Sequence, residues 1–373
     1  MPEVLSTTGQ TGATGQTGPA TAAARELSLQ QALNLALSEL LAEDPDVLAF
    51  GEDVGTLGGV FRVTNGLAAA HGDDRVFDTP LAESGILGMS IGLAMAGFRP
   101  VPEVQFDGFA YPAMNQIVTQ LGRMHYRSRG TLRMPVTLRV PSFGGIRAPE
   151  HHGESLESVF AHVPGLKVVC PADPQQGYTL LKAAVRSDDP VIFMEPKSRY
   201  WQKGTVITEA HGARAQGAGA PARTSAHDGG ASPDAGKASG ARVAREGRHL
   251  TLVAWGAMVA RCLQVAELAA EDGIDVEVVD LRWLKPIDTE TLAASVAKTR
   301  RAVVVHEAPL TAGLGAEVAQ RITQACFGML RAPVERVTGF DVPYPSGDLE
   351  DEYIPNIDRI LFGIQRVLEY KRG

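Results

Sequence analysis

Apolar residues along this chain fall into two alternating rhythms. One consists of short runs in which nearly every residue is apolar. These are "VLAF", ending in Gly51-Glu52-Asp53, then "RPVPEVQF" (99–106), "PVTLRV" (135–140), "LKVVC" (166–170) and "PVIFME" (190–195). Runs of this length and composition predict strands buried on both faces. The other rhythm repeats every three to four residues. Ser28 and Gln31 have capping-box spacing, and Leu33, Leu37, Leu40 and Leu41 follow at helical intervals. "ESGILGMSIGLAMAG" (83–97) predicts a helix of small residues suited to close packing. "PAMNQIVTQLGRMHYRS" (112–128) predicts an amphipathic helix with proline at its start.

The alternation breaks once. From 211 to 241 there is no Val, Ile, Leu, Met, Phe, Tyr, Trp or Cys. A segment with nothing to bury is expected to be a flexible linker, taken as 206–244. Beyond it the pattern resumes: "HLTLVAWG" (249–256) as a strand, "AMVARCLQVAELAAED" (257–272) as a helix, "IDVEVVDL" (274–281) and "RAVVVHE" (301–307) as strands. A helix near 315–327 and a last one in "NIDRILFGIQRVLEYK" close the chain. Strands alternating with helices imply parallel sheets covered on both faces. The expectation is two three-layer α/β domains, 26–205 and 245–373, after a disordered tail (1–25) with a TGQTG repeat.

Composition narrows the function classes. A net charge of −8, with no basic stripe laced by aromatics, argues against nucleic-acid binding. The longest uncharged apolar run, 84–98, is too short and too rich in glycine and alanine to span a bilayer. The N-terminus has no basic start and no apolar centre, so no secretory signal is expected. Cys170, Cys262 and Cys326 are far apart with no CxxC, which fits buried thiols in a reducing cytoplasm rather than a zinc site or disulfides.

Four stretches carry candidate chemistry. In "DTPLAESG" (78–85), Glu83 opens a helix. There it gains from the helix dipole, or it is a carboxylate held in a crevice at the end of a sheet, with a raised pKa. In "EVQFDGFAYPA" (103–113), Phe106, Phe109 and Tyr111 cluster in a chain that is only 6% aromatic, as core packing or as a stacking platform. In "APEHHGESLE" (148–157), His151 and His152 stand together on a predicted loop, flanked by Glu150 and Glu154. Proton handling suits such a pair better than metal binding, because adjacent side chains rarely converge and no third ligand is spaced for it. In "HEAPLTAGLGAEV" (306–318), Gly313 and Gly315 precede a helix, as a partial phosphate loop, a tight turn or a subunit contact.

These motifs, together with "AHVPGLKVVCPADP", "DDPVIFMEPK" and "CFGMLRAPVERVTGFDVPYP", resemble the beta subunit of thiamine-diphosphate-dependent 2-oxo acid dehydrogenases. That protein belongs to the decarboxylating first component of the pyruvate and branched-chain complexes. The resemblance covers about 26–206 and 243–373, and "HEAPLT" with the "CF…L.AP" pattern leans toward the branched-chain members. It implies a pyrimidine-binding domain followed by a transketolase C-terminal-like domain. It implies that Glu83 hydrogen-bonds N1′ of the aminopyrimidine, that Phe109 stacks on that ring, and that Gln105 and Leu81 line the same pocket. His152 matches the family's active-site histidine, which donates a proton as the acyl group passes to lipoyl sulfur; His151 supports it or faces the channel. Backbone carbonyls of Met134, Val136, Thr137, Ala184, Ser187 and Asp189 match a potassium site.

A missing motif shapes the expected assembly. Thiamine-diphosphate enzymes hold the diphosphate through magnesium on a GDG…N-type motif, and this chain has neither GDG nor Asn-Asn. The resemblance therefore implies that an alpha subunit brings the magnesium and the diphosphate half of the site. The expected assembly is an α2β2 heterotetramer docked on a lipoyl acyltransferase and acting on a 2-oxo acid, of 2-oxoisovalerate type or else pyruvate or acetoin. A noncatalytic assembly subunit is the alternative from another class.

Overall fold

The computed structural model describes residues 24–208 and 239–371. The 1–25 tail lies almost wholly outside the described residues, as does the central part of the 206–244 linker. In chain order the strands are β1 (Ala24–Ser28), β2 (Val47–Gly51), β3 (Val76–Asp78), β4 (Arg99–Glu103), β5 (Thr137–Ser142), β6 (Lys167–Val169) and β7 (Val191–Pro196). They continue as β8 (Lys203–Ile207), β9 (Arg242–Arg245), β10 (Leu250–Ala254), β11 (Val276–Asp280), β12 (Trp283–Lys285), β13 (Ala302–Pro309) and β14 (Glu335–Gly339). Strand β8 pairs antiparallel with β1, and β9 with β11, so ordered backbone reaches into both ends of the span expected as linker. Val206 and Val243 supply the apolar side chains there that 211–241 lacks.

Two mainly parallel sheets carry the fold. The first runs β12-β6-β7-β5-β4-β2-β3 and the second β14-β13-β10-β11-β9. Strands β2, β5, β7, β10 and β11 are buried along their whole length, and β4 along all but its first residue, as expected for strands with helices on both faces. One strand crosses over: β12, from the second half of the chain, completes the edge of the first sheet by pairing antiparallel with β6. The largest apolar cluster spans both halves, running from Phe50, Leu138 and Val140 through Cys170 to Trp255, Leu281 and Val304. All three cysteines are buried and free.

The first helix, Leu29–Glu43, starts with the predicted capping box: Gln31 N–H donates to Ser28 Oγ, and Ser28 N–H donates to Gln31 Oε1. The small-residue helix is Glu83–Ala96, ended by Gly97 in a left-handed conformation. The helix expected over 112–128 is instead three pieces: a 3-10 turn (Asp107–Ala113), a π-helical turn (Asn115–Leu121) and a short α-helix (Met124–Arg127). The cause is steric. Gly122 passes so close to the 163–165 segment that a β-carbon there would lie 2.9 Å from Val163 Cγ1. Its N–H reaches back to Ile117 O, five residues earlier. Gly313 and Gly315 have a similar explanation. A β-carbon on either would strike the buried His306 ring, at 2.7 and 2.4 Å, so these glycines form a packing turn ahead of the helix Leu314–Cys326.

Candidate active site

The loops that follow β2 and β4 and the helix that follows β3 gather at the C-terminal edge of the first sheet, where parallel sheets place ligands. Hydrogen bonds tie these segments together. Asp78, closing β3, accepts from Gly55 N–H (2.6 Å) and Thr56 N–H (3.1 Å) of the loop after β2. Gln105, just past β4, donates through Nε2 to Glu52 O (3.3 Å) and Asp53 Oδ2 (3.2 Å). Glu83 is the first residue of its helix, half-buried. Its charge helps push the Glu52 carboxyl above its usual pKa, after partial burial and the neighbouring Asp53. Thus Glu83, Glu52, Asp53 and Gln105 share one acidic corner. Leu81 stands on its rim, 71% exposed.

The aromatic stretch and the histidine pair meet beside that corner. Phe106 lies edge to face with Phe109 (centroids 5.5 Å apart), and His152 touches both rings, at 4.5 and 5.1 Å. Phe106 is buried while Phe109 and His152 are half-buried, so the trio forms a wall with one open side. His152 Nδ1 sits 3.0 Å from Glu150 O. A carbonyl can only accept, so Nδ1 carries a proton and Nε2 is the ring nitrogen left for other work. His151 diverges from its neighbour. It is exposed, its φ is +68°, and its Nδ1 lies 3.9 Å from Glu154 Oε1.

Beneath this surface lies a layer of charges that reading by motif did not single out. Arg139 of β5 donates to Glu195 of β7 through Nε (2.7 Å) and Nη2 (2.9 Å), and to Glu103 of β4 through Nη1 (2.6 Å). All three are buried, and Tyr200 Oη donates to Glu195 as well. Burial opposes the guanidinium charge, but the two carboxylates outweigh it and hold Arg139 protonated more firmly than usual. Asp107 and Lys197 form a second buried pair, 3.4 Å apart. Burial lifts Asp107 to about 6, against the pull of Lys197 and of the Phe143 N–H it accepts. The Lys197 ammonium rests 5.7 Å from the centroid of the Phe106 ring. The available signal was the charged residue inside each otherwise apolar run: Glu103 in "VPEVQF", Arg139 in "PVTLRV" and Glu195 in "VIFMEPK".

The carbonyl set matched to potassium is drawn together where β5 begins and where the helix Pro174–Val185 ends. Val136 N–H donates to Met134 O (2.7 Å), Val191 N–H to Val136 O (2.9 Å) and Ser187 N–H to Ala184 O (3.0 Å). Ser187 Oγ donates to Asp189 O (3.0 Å), and Thr137 opens β5 beside them. A carbonyl oxygen has two lone pairs, so a single accepted hydrogen bond does not by itself bar a cation. Arg99, donating to Ser187 O (3.2 Å), and Lys167, paired with Asp189 at 2.9 Å, already bring two positive charges to the same turn. Among the described residues no helix is long and apolar enough to cross a membrane.

Known proteins share both sequence and fold. The transketolase pyrimidine-binding domain model matches residues 25–202, and the transketolase C-terminal domain model matches 239–360. The pyruvate dehydrogenase E1 component subunit beta of Leifsonia xyli is 48% identical, over 93% of this chain and 96% of its own length. The 3-methyl-2-oxobutanoate dehydrogenase subunit beta of Mycobacterium tuberculosis is 47% identical, over 92% of each. The solved structure of a split-gene transketolase, described as an inactive beta4 tetramer, superposes with a TM-score of 0.68 at 23% identity. It covers 93% of this chain and 99% of its own, a likeness of fold.

Proposed function

We propose, for a chain that belongs to the family of pyruvate and branched-chain 2-oxo acid dehydrogenase E1 beta subunits, that Glu83, Gln105, Phe109 and His152 form its share of a thiamine-diphosphate site completed by an alpha subunit. The observation that carries this reading is the meeting of an acidic corner with an aromatic–histidine wall at one end of a parallel sheet. A flat, polar-edged heterocycle needs both surfaces, a ring to lie on and a carboxylate at its edge.

In this reading Phe109 supports the pyrimidine face. Glu83 holds a proton at the pyrimidine ring nitrogen, and Gln105 and Leu81 line the pocket. Bound thiamine diphosphate supplies the electron sink that carbon–carbon cleavage of a 2-oxo acid requires. His152, with its Nδ1 proton committed to Glu150 O, works through Nε2: it orients the substrate by accepting there, and once Nε2 has taken a proton it would return that proton to lipoyl sulfur as the acyl group is transferred. Magnesium and the diphosphate are assigned to the alpha subunit, in an α2β2 heterotetramer that docks on a lipoyl acyltransferase in the cytoplasm. The carbonyls of Met134, Val136, Thr137, Ala184, Ser187 and Asp189 are assigned to potassium.

The preferred substrate we propose is a branched 2-oxo acid, on the "HEAPLT" and "CF…L.AP" stretches. One extra methylene gives only ~1–3 kcal/mol of discrimination, so turnover of pyruvate is expected beside it. The test is decarboxylation of 2-oxoisovalerate and of pyruvate by this chain alone and with its alpha subunit, given thiamine diphosphate, magnesium and an artificial electron acceptor. Activity only in the mixture supports the shared site. Activity from this chain alone refutes it, and faster turnover of pyruvate refutes the substrate choice.

A further inference from the structure

The loop that carries His152 is held from the other half of the chain. Both oxygens of Glu350, a residue only 2% exposed, accept backbone N–H groups of this loop: Oε1 from Gly145 (2.7 Å) and Oε2 from Arg147 (2.6 Å). Tyr344 Oη donates to the same Oε1 at 2.7 Å. The Tyr344 ring lies against the glycine that follows His152. A β-carbon on Gly153 would come within 2.6 Å of Tyr344 Cε1, and one on Gly144 within 1.4 Å of its hydroxyl. Glu307 adds a third grip, accepting Gly144 N–H at 3.1 Å.

The loop needs holding. Phe143, Gly145, Arg147 and His151 all have positive φ, and three of these four are not glycine. Such backbone persists only where surrounding contacts over-determine it. On the opposite side the loop presses on the turn that bears Phe109, where a β-carbon on Gly108 would lie 2.2 Å from His151 O. The loop is therefore clamped between the aromatic wall and Glu350.

We propose that Glu350, oriented by Tyr344, is a positioning residue for His152, through which the C-terminal half sets the imidazole against Phe106 and Phe109. This rests on the role assigned to His152 above. Glu350 has no direct part in proton transfer; its carboxylate fixes two amides, and these fix the loop.

The test uses the full chain assembled with its alpha subunit. Glu350→Gln keeps the shape but turns one acceptor into a donor facing an N–H. Tyr344→Phe removes one hydroxyl and is the milder variant should Glu350→Gln fold poorly. Both are expected to lower kcat for lipoyl acylation, Glu350→Gln by roughly 10- to 100-fold. KM for the 2-oxo acid should stay near normal, and amide hydrogen exchange in peptides spanning 143–155 should quicken. In the Glu350→Gln/His152→Ala double variant the loss should match that of His152→Ala alone. Losses that multiply would show that Glu350 acts independently of His152 and overturn the proposal. Unchanged exchange in the loop with either variant would overturn it too. If His152→Ala alone keeps wild-type turnover, the assignment of His152 fails. If His152→Ala is crippled and Glu350→Gln is not, only this inference fails.

Discussion

Phe106 meets His152 edge to face, with ring centroids 4.5 Å apart and planes inclined by 66°. Since Phe106 is buried and backed by Lys197, it is the fixed member of the pair and the imidazole takes its tilt from it. Replacing Phe106 with Leu keeps most of the apolar volume and removes the flat wall. We expect kcat to drop about tenfold with the substrate KM little changed, and stability to fall by ~1–3 kcal/mol. Steady-state kinetics and thermal melting of the variant check this; unchanged kcat would reduce the contact to packing.

Glu83→Gln conserves size and stays at the start of its helix. Turnover in the assembled enzyme should nearly vanish, because an amide cannot hold a ring nitrogen protonated as a carboxylate does. Melting of the chain should change little, since Glu83 is only half-buried. Wild-type decarboxylation by this variant would remove Glu83 from the chemistry.

The Arg139 cluster predicts a large structural effect. Arg139→Met leaves Glu103 and Glu195 buried without their shared cation. Stripping one partner from a buried ion pair costs ~3–5 kcal/mol. Arg139→Lys should recover only part of that, since an ammonium cannot match the two-pronged contact with Glu195. Urea unfolding of the three chains should rank wild type above Lys and Lys above Met.

Much of this architecture was legible beforehand, and the exceptions have physical causes. Fully buried strands and the Ser28–Gln31 cap announce themselves because one face rule or one side-chain bond decides each. The placing of His152 against Phe106 and Phe109 followed no local signal. Those rings meet through the tertiary path of a loop whose turns occur at Phe143, Arg147 and His151, residues that rarely take positive φ. The single helix expected over 112–128 failed for a similar reason. Its breaker, Gly122, matters only because a distant segment passes beside it. Glu350 and Tyr344 lie too far along the chain from His152 for spacing to connect them.

Glu157 gives a pH prediction. It is fully buried, and at normal geometry neither of its oxygens has a hydrogen-bond partner among the described residues. Burial raises it from 4.5 to about 8, helped by the charges of Glu307 and Asp107 and opposed by its own backbone N–H and by Trp255 nearby. The folded state therefore keeps a proton that the unfolded chain has already lost. The resulting stability is complete below the ordinary carboxyl pKa of 4.5 and is lost as pH rises through about 8. Glu157→Gln, neutral throughout, should melt several degrees higher than wild type at alkaline pH and converge with it in acid. Parallel melting curves across that range would show that Glu157 does not titrate with folding.

Strand β12 leaves the second half of the chain, seals the open edge of the first sheet, and lets Lys285 Nζ donate to Ala161 O (2.8 Å) and Val163 O (2.6 Å). The two halves are thereby stitched rather than hinged, so heating should melt them in one calorimetric event instead of two. A fragment cut before Trp283 would leave β6 as a bare template for whatever strand it met next. Any rearrangement that shortens or splits this polypeptide has to carry those few residues along with the first sheet.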